Sequence, residues 1–293
     1  MTKRARIGIT LGDCAGIGPE IVEAALKSGR LSRAADYQII GDYPLRSLGK
    51  PTPETARAAA AALEQAVSLA KAGELDGVVT APIHKANMYD IGFKFPGQTE
   101  FFAARCGVDN YAMLLTGGTL TVALVTTHIP LSQVAGMLKQ SEIVRIGLLL
   151  VNFLQRRSGP RPRIAVAGLN PHAGESGTIG REEIEIIAPA VADLQSAIPN
   201  PNSAIVSGPY PPDTVFHRAA EGEFDAVLCM YHDQGLIPLK LQDFDEGVNV
   251  TLGLPFPRTS PDHGTAFNIA GKGIARPSSM IAAINLAAEL GRR

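Results

Sequence analysis

Short runs in which every residue is apolar constrain this chain more than any other feature. Val122-Ala123-Leu124-Val125, Ile164-Ala165-Val166-Ala167 and Ala226-Val227-Leu228-Cys229-Met230 carry no polar alternation. Such runs belong to strands buried on both faces, the condition of parallel strands covered by helices. A histidine follows each of them: His128 after Thr126-Thr127, His172 after Asn170-Pro171, and His232 after Tyr231. Parallel strands end along one edge, and open α/β sheets bind ligands in the crevice beyond their carboxyl ends. Alone, each histidine reads as a loop or structural residue. Together they offer three neutral imidazoles, a donor set that holds a divalent metal with one position open for chemistry.

The rest of the chain keeps this alternation of apolar runs and amphipathic stretches, which predicts a covered parallel sheet. Residues 6–11 read as the first strand. A glycine-rich turn over 12–18 then leads through Pro19 into a helix as far as Ser28, since proline suits a first helical turn. Further strands are expected over 37–40 and 77–80. Between them, Thr52-Pro53 opens an alanine-rich helix that stops near Ala72-Gly73. Helices are also expected over 141–155, 181–196 and 278–290. Nothing reads as an internal repeat or a low-complexity linker, and the prolines at 160–162 and 199–201 mark ordinary loops.

Composition excludes several function classes. With 293 residues, 45% of them hydrophobic, the chain can build a large core. Lys+Arg 27 against Asp+Glu 28 leaves no global basic field, which argues against nucleic-acid and anionic-membrane partners. Cys14, Cys106 and Cys229 are odd in number and far apart, which fits neither a disulfide framework nor a zinc knuckle and points to a reducing cytoplasm. The opening Met1-Thr2-Lys3-Arg4-Ala5-Arg6 is basic, but Gly8, Gly12 and Asp13 interrupt the apolar stretch that a signal peptide needs. No run is long and apolar enough to span a bilayer.

Two glycine-punctuated segments are candidates for nucleotide binding. The 12–18 turn presents backbone N–H groups at a helix start, where an anion is favoured. Its spacing is not Gly-x-Gly-x-x-Gly, and Asp13 suits a helix cap as well as chemistry. Near the other end, Gly264, Thr265 and Ala266 allow close backbone approach, while Asp262 and Asn268 can bond ribose or adenine. By themselves they also read as a plain loop. Both segments resemble the first-strand turn and the adenosine-binding loop of isocitrate and isopropylmalate dehydrogenases.

The motifs between them narrow the resemblance. Thr80-Ala81-Pro82-Ile83 with Lys85, Gly97-Gln98-Thr99-Glu100, Thr126-Thr127-His128-Ile129-Pro130-Leu131, Gly168-Leu169-Asn170-Pro171-His172-Ala173-Gly174-Glu175, Tyr231-His232-Asp233-Gln234-Gly235-Leu236 and Asn249-Val250-Thr251-Leu252-Gly253 run nearly end to end. They resemble the 4-hydroxythreonine-4-phosphate dehydrogenase family. The resemblance implies an isocitrate/isopropylmalate dehydrogenase-like α/β fold, with two α/β/α lobes and a cleft. Residues 1–95 with 253–293 would form the nucleotide-binding lobe, and 96–252 the metal, substrate and dimerisation lobe. It implies oxidation of 4-phosphohydroxy-L-threonine at C3 by NAD or NADP, followed by loss of carbon dioxide, in pyridoxal phosphate biosynthesis. A divalent cation such as Zn, Mg or Co would be held by His128, His172 and His232, at a site shared between the subunits of a homodimer.

Roles for other residues follow from the same resemblance. Gln98, Thr99, Lys240, Asn249 and Arg258 are the expected substrate contacts, and Asp262, Gly264, Thr265, Ala266 and Asn268 the expected cofactor contacts. Asp213 and Asp233 are candidates for general base or for orienting a metal ligand; each also suits a helix cap or a surface carboxylate. Two positions depart from the family pattern. Gln98 stands where His is usual in Gly-His-Thr-Glu, and Cys14 stands where Pro usually follows Gly-Asp. The first leaves another acid open as substrate, 4-phosphoerythronate, its threonate counterpart or a carboxylated cyclohexadiene dihydrodiol. Phosphate acyltransferases and a non-catalytic binder share the fold class but have no need of the three histidines.

Overall fold

The computed structural model describes residues 4–43, 48–157, 159 and 161–292; Met1-Thr2-Lys3 of the basic opening and Pro160 of the 160–162 loop lie outside them. Its strands are β1 (Ala5–Thr10), β2 (Ala35–Ile40), β3 (Gly77–Thr80), β4 (Ala112–Thr116), β5 (Thr121–Leu124), β6 (Arg163–Ala167), β7 (Ile205–Tyr210), β8 (Ala226–Cys229), β9 (Val248–Leu252) and β10 (Arg258–Pro261). The chain divides into two compact units, Met1–Asp109 with Asp245–Arg293, and Asn110–Phe244. Each is α/β, as the alternation of apolar runs predicts.

In the first unit the strands lie in the order β2-β1-β3-β10-β9. All neighbours are parallel except β9 and β10. The alanine-rich helix is Pro53–Lys71, and Thr52 starts it with a capping box: its Oγ1 accepts from Thr55 N–H at 3.3 Å while its own N–H reaches Thr55 Oγ1 at 3.1 Å. Ala56, Ala59, Leu63, Ala66 and Ala70 recur at helical spacing and pack with Val78, Phe101, Phe102 and Phe256. Burying a side chain such as Phe102 contributes about 1.5–3 kcal/mol. The small alanines bring the helix backbone close to the sheet.

In the second unit the order is β4-β5-β8-β6-β7. Here β5, β8, β6 and β7 are parallel, and β4 runs antiparallel to β5. The wholly parallel sheet expected from the apolar runs is therefore mixed in both units. The cause is loop length: residues 117–120 and 253–257 are too few to cross over, and short links join antiparallel strands. The first link is held by Asp243, whose carboxylate accepts from Thr119 N–H at 3.0 Å and Leu120 N–H at 2.9 Å. The helix expected over 181–196 begins instead as a π-turn, Glu183–Ile187, before the α-helix Ala188–Ala197.

A local correspondence links the two units, although no repeat was legible along the chain. Arg6, in β1, bonds Asp76 through its backbone N–H and its Nε, while its Nη2 donates to Gly73 O at 2.6 Å. Arg163, in β6, does the same with Asp225 and with Gly222 O at 2.9 Å. The segments are Gly73-Glu74-Leu75-Asp76 before β3 and Gly222-Glu223-Phe224-Asp225 before β8. Each ties a strand to its parallel neighbour at the amino edge. Among the described residues no helix is long and apolar enough to cross a membrane.

Candidate active site

The three histidine-bearing runs become β5, β6 and β8, and β8 lies between the other two, parallel to both. His128, His172 and His232 therefore leave the same carboxyl edge, as the sequence argument requires. The rings of His128 and His232 lie 5.6 Å apart between centroids. Thr126 ties the two approaches together, its Oγ1 donating to Met230 O at 2.8 Å. Thr127, His128, Leu131, Val134, Tyr231 and His232 line a cavity of about 260 Å³. The Tyr231 hydroxyl is pushed above the usual phenol range by burial, with the Asp233 charge adding to the effect.

His232 opens the helix His232–Asp243, and its Nδ1 sits 2.6 Å from Asp233 Oδ1. A carboxylate on Nδ1 fixes the ring and turns Nε2 outward as donor, the usual arrangement of a metal-binding imidazole. The donor chemistry of the pair thus fits a divalent cation. Among the described residues of one chain, no three His, Cys, Asp or Glu side chains come close enough to hold an ion, so the chain does not bring His172 into one set with His128 and His232. Asp213, the other candidate carboxylate, is exposed in the first turn of the helix Pro212–Ala220, after β7.

His172 lies on an unusual backbone. His172, Ala173, Gly174, Glu175 and Ser176 have φ of 52°, 51°, 80°, 43° and 57°, a left-handed turn. Left-handed backbone costs about 1–2 kcal/mol for each non-glycine residue, so the surroundings must impose it. Glu183 and Gln234 bond the segment from which the turn springs. Sequence reasoning passed over both. Gln234 lies inside the Tyr231–Leu236 motif and was legible as part of it, but Glu183 follows Glu182 in a stretch with the look of a solvated helix start.

The first unit gathers polar groups near the carboxyl ends of β1 and β3, toward which Arg258, the first residue of β10, extends its side chain. Arg258 is 2% exposed, and its Nη1 and Nη2 donate to Thr251 Oγ1 at 3.3 Å and Thr80 Oγ1 at 2.5 Å. Among the described residues, its Nε, Asn249 Oδ1, Gln98 Oε1, Thr10 Oγ1 and Asp13 Oδ2 are buried without a hydrogen-bond partner. Burial lowers the Arg258 guanidinium to about 10, an effect the Glu100 charge partly offsets, so the group remains a cation at neutral pH. A buried cation bonded to neutral hydroxyls is unfavourable until an anion joins it. Thr99 Oγ1 lies 3.4 Å from Thr251 Oγ1. Gln98 and Thr99 open the helix Gln98–Cys106 behind Gly97, where no side chain caps the first N–H groups. Of the expected substrate contacts, Gln98, Thr99, Asn249 and Arg258 belong to this unit; Lys240, half-buried, is in the helix that His232 begins, in the second unit.

The two glycine-punctuated segments meet although they lie at opposite ends of the chain. Ile17 N–H donates to Thr265 O at 2.9 Å. A Cβ on Gly16 would stand 2.6 Å from that same oxygen, so glycine is required for the approach. Glu20 Oε2 accepts from Gly271 N–H at 2.8 Å. Asp262 and Asn268 flank this contact, Ala266 takes a left-handed φ of 43°, and nothing lies within 4 Å of where a Gly264 Cβ would be. Open backbone of this kind fits the adenosine end of a dinucleotide.

The comparisons with known proteins show the family. A family model described as "Pyridoxal phosphate biosynthetic protein PdxA" matches residues 18–287. A 4-hydroxythreonine-4-phosphate dehydrogenase of Erythrobacter litoralis is 42% identical, covering 98% of this chain and 97% of its own. The crystal structure of the Klebsiella pneumoniae 4-hydroxythreonine-4-phosphate dehydrogenase superimposes with a TM-score of 0.82 at 39% identity, covering 98% of this chain and 99% of that one. A terephthalate 1,2-cis-dihydrodiol dehydrogenase of Burkholderia xenovorans follows at 0.69 and 28%, with 98% of both chains covered. An α/β chain with this histidine edge, buried guanidinium and glycine-lined loop fits the dehydrogenases among these relatives. It belongs to the pyridoxal phosphate biosynthetic PdxA family.

Proposed function

We propose that this chain is a 4-hydroxythreonine-4-phosphate dehydrogenase that oxidises the C3 hydroxyl of 4-phosphohydroxy-L-threonine with NAD or NADP. Decarboxylation of the product then gives 3-amino-2-oxopropyl phosphate, a precursor of pyridoxal 5'-phosphate. The names of the relatives support the reaction class. The observation that carries the reading to this chain is Arg258, a buried cation with threonine hydroxyls as its partners, at a position that the resemblance implies as a substrate contact.

Each residue then has a role. Arg258 and Lys240 supply the charge that a phosphate or carboxylate requires, and Thr99, Asn249 and Gln98 supply neutral hydrogen bonds. Asp262, Gly264, Thr265, Ala266 and Asn268 would hold the dinucleotide, which would supply the hydride acceptor. His128, His172 and His232 would hold a divalent cation, Zn, Mg or Co, which supplies a Lewis acid for the substrate oxygen. Asp233, engaged with His232 Nδ1, orients that ring. Asp213 is left as the candidate to accept the hydroxyl proton.

A homodimer with shared sites is part of the proposal. Ile237, Leu241 and Phe244 are 66%, 82% and 70% exposed. At these spacings they share one face of the helix that His232 begins, and such an apolar stripe suits a self-complementary contact. A second reading keeps the class and changes the acid. Gln98 favours it: its Nε2 donates to Ala81 O at 3.2 Å, and its amide carries no charge toward an anion. The test is a panel of 4-phosphohydroxy-L-threonine, 4-phosphoerythronate and a carboxylated dihydrodiol, followed by nicotinamide reduction. Turnover of the threonine derivative alone supports the first reading, and turnover of another acid alone supports the second.

A further inference from the structure

The left-handed turn carrying His172 is built on a buried carboxylate outside the expected site. Glu183 is 3% exposed and belongs to the π-turn Glu183–Ile187. Its Oε1 accepts from the backbone N–H groups of Leu169 and Asn170, both at 2.7 Å. Its Oε2 accepts from Asn170 Nδ2 at 2.9 Å. Among the described residues no Lys, Arg or His forms an ion pair with it, so backbone and amide donors carry the whole task of stabilising its charge. Hydrogen bonds to a desolvated carboxylate are of the strong, charge-assisted kind. All three converge on residues 169 and 170, the root of the turn.

The same segment is held from its other side. Gln234 Nε2 donates to Gly168 O at 2.7 Å, and its Oε1 accepts from Met230 N–H at 2.7 Å. Residues 168–170 are therefore pinned between Glu183 and the strand end that leads to His232. The turn also packs directly on the carboxylate: a Cβ on Gly174, at φ 80°, would lie 2.7 Å from Glu183 Oε2. The π-turn's wider hydrogen-bond spacing places Glu183 here, and π-turns recur at functional sites.

We propose that Glu183 is the positioning residue for His172, imposing the left-handed turn that presents the imidazole to the metal. This rests on the metal-ligand reading of His172 given above. The buried carboxylate acts through Leu169 and Asn170, to which its oxygens are bonded.

Glu183→Gln tests this, because Gln keeps the size but sets an amide NH₂ or a weaker neutral acceptor against donors. Two measurements on the full chain separate the proposal from the reading beneath it: hydrogen exchange over residues 169–177, and Co²⁺ titration. In Glu183→Gln the Leu169 and Asn170 amides should exchange about tenfold faster or more, with β6 and β8 unchanged. Co²⁺ affinity should fall about 10–100-fold, the usual effect of removing a group behind a metal ligand, with dinucleotide affinity unchanged. Unchanged protection at 169–170 would overturn the proposal, as would faster exchange spread evenly through the unit with Co²⁺ affinity intact. If the wild-type chain takes up no Co²⁺, the metal reading fails, and the exchange data alone decide whether Glu183 holds the turn. Should Glu183→Gln not fold, Glu183→Asp keeps the charge on a shorter stem; it should show the same local loosening in smaller measure, and wild-type exchange in it would count against the clamp.

Discussion

The rings of His128 and His232 stand 5.6 Å apart and tilted by 47°, one on the loop after β5 and the other at the start of the helix after its parallel neighbour β8. The Asp233 carboxylate on His232 Nδ1 leaves Nε2 as the outward donor. Replacing either histidine with Ala should reduce bound divalent metal and abolish turnover without unfolding the chain, because His128 is exposed and His232 half-buried. Metal content by mass spectrometry and a thermal melt check both halves. Full activity after exhaustive chelation would contradict the assignment.

Arg258 yields a prediction in which stability and function separate. Its guanidinium is lowered to about 10 by burial, so the unfolded chain binds the proton more tightly. The burial penalty is then present in full below pH 10 and fades as pH rises through that value toward the ordinary guanidinium range. Arg258→Met should leave the melting temperature equal or higher, because the change removes that penalty. It should also lower kcat/KM by about 10–100-fold, since losing a charged hydrogen bond costs about 1.5–3 kcal/mol. Calorimetry and steady-state kinetics together decide this; a strongly destabilised variant would show that Arg258 is structural.

Much of this site was legible in the sequence because each motif maps onto one strand end. The runs before His128, His172 and His232 are β5, β6 and β8, and their parallel pairing brings the histidines to one edge. Thr52-Pro53 opened its helix where capping chemistry said it should. The rest depends on contacts between distant residues that carry no local signature. Thr265 packing on Gly16 was invisible in either segment alone, and so was Glu183 under the turn at 172–176. The antiparallel pairs were missed because apolar runs report burial on both faces, not strand direction.

The dimer is tested through Leu241 and Phe244. Leu241→Asp should shift the protein toward monomer in analytical ultracentrifugation and reduce activity, because a charge opposes burial of the stripe. As an independent check, inactive His172→Ala and His232→Ala chains refolded together should regain about a quarter of wild-type activity if each site draws on two chains. No recovery, with a wild-type monomer at full activity, would exclude a shared site.

Gln98 offers the test of substrate choice. If 4-phosphohydroxy-L-threonine is the substrate, Gln98→His should leave kcat/KM for it similar or higher, because imidazolium can add charge toward an anion. If the site is tuned to another acid, the same change should weaken turnover of that acid and favour the threonine derivative. Paired kcat/KM values for both acids in both proteins separate the two cases.

The most direct measurement is the reduction of NAD and NADP by the purified, metal-loaded protein with 4-phosphohydroxy-L-threonine, with carbon dioxide release followed in the same reaction. The account predicts nicotinamide reduction and carbon dioxide in equal amounts, both slowed to the same extent in Arg258→Met. Absence of turnover with this substrate, alongside clear oxidation of 4-phosphoerythronate or a dihydrodiol, would contradict it.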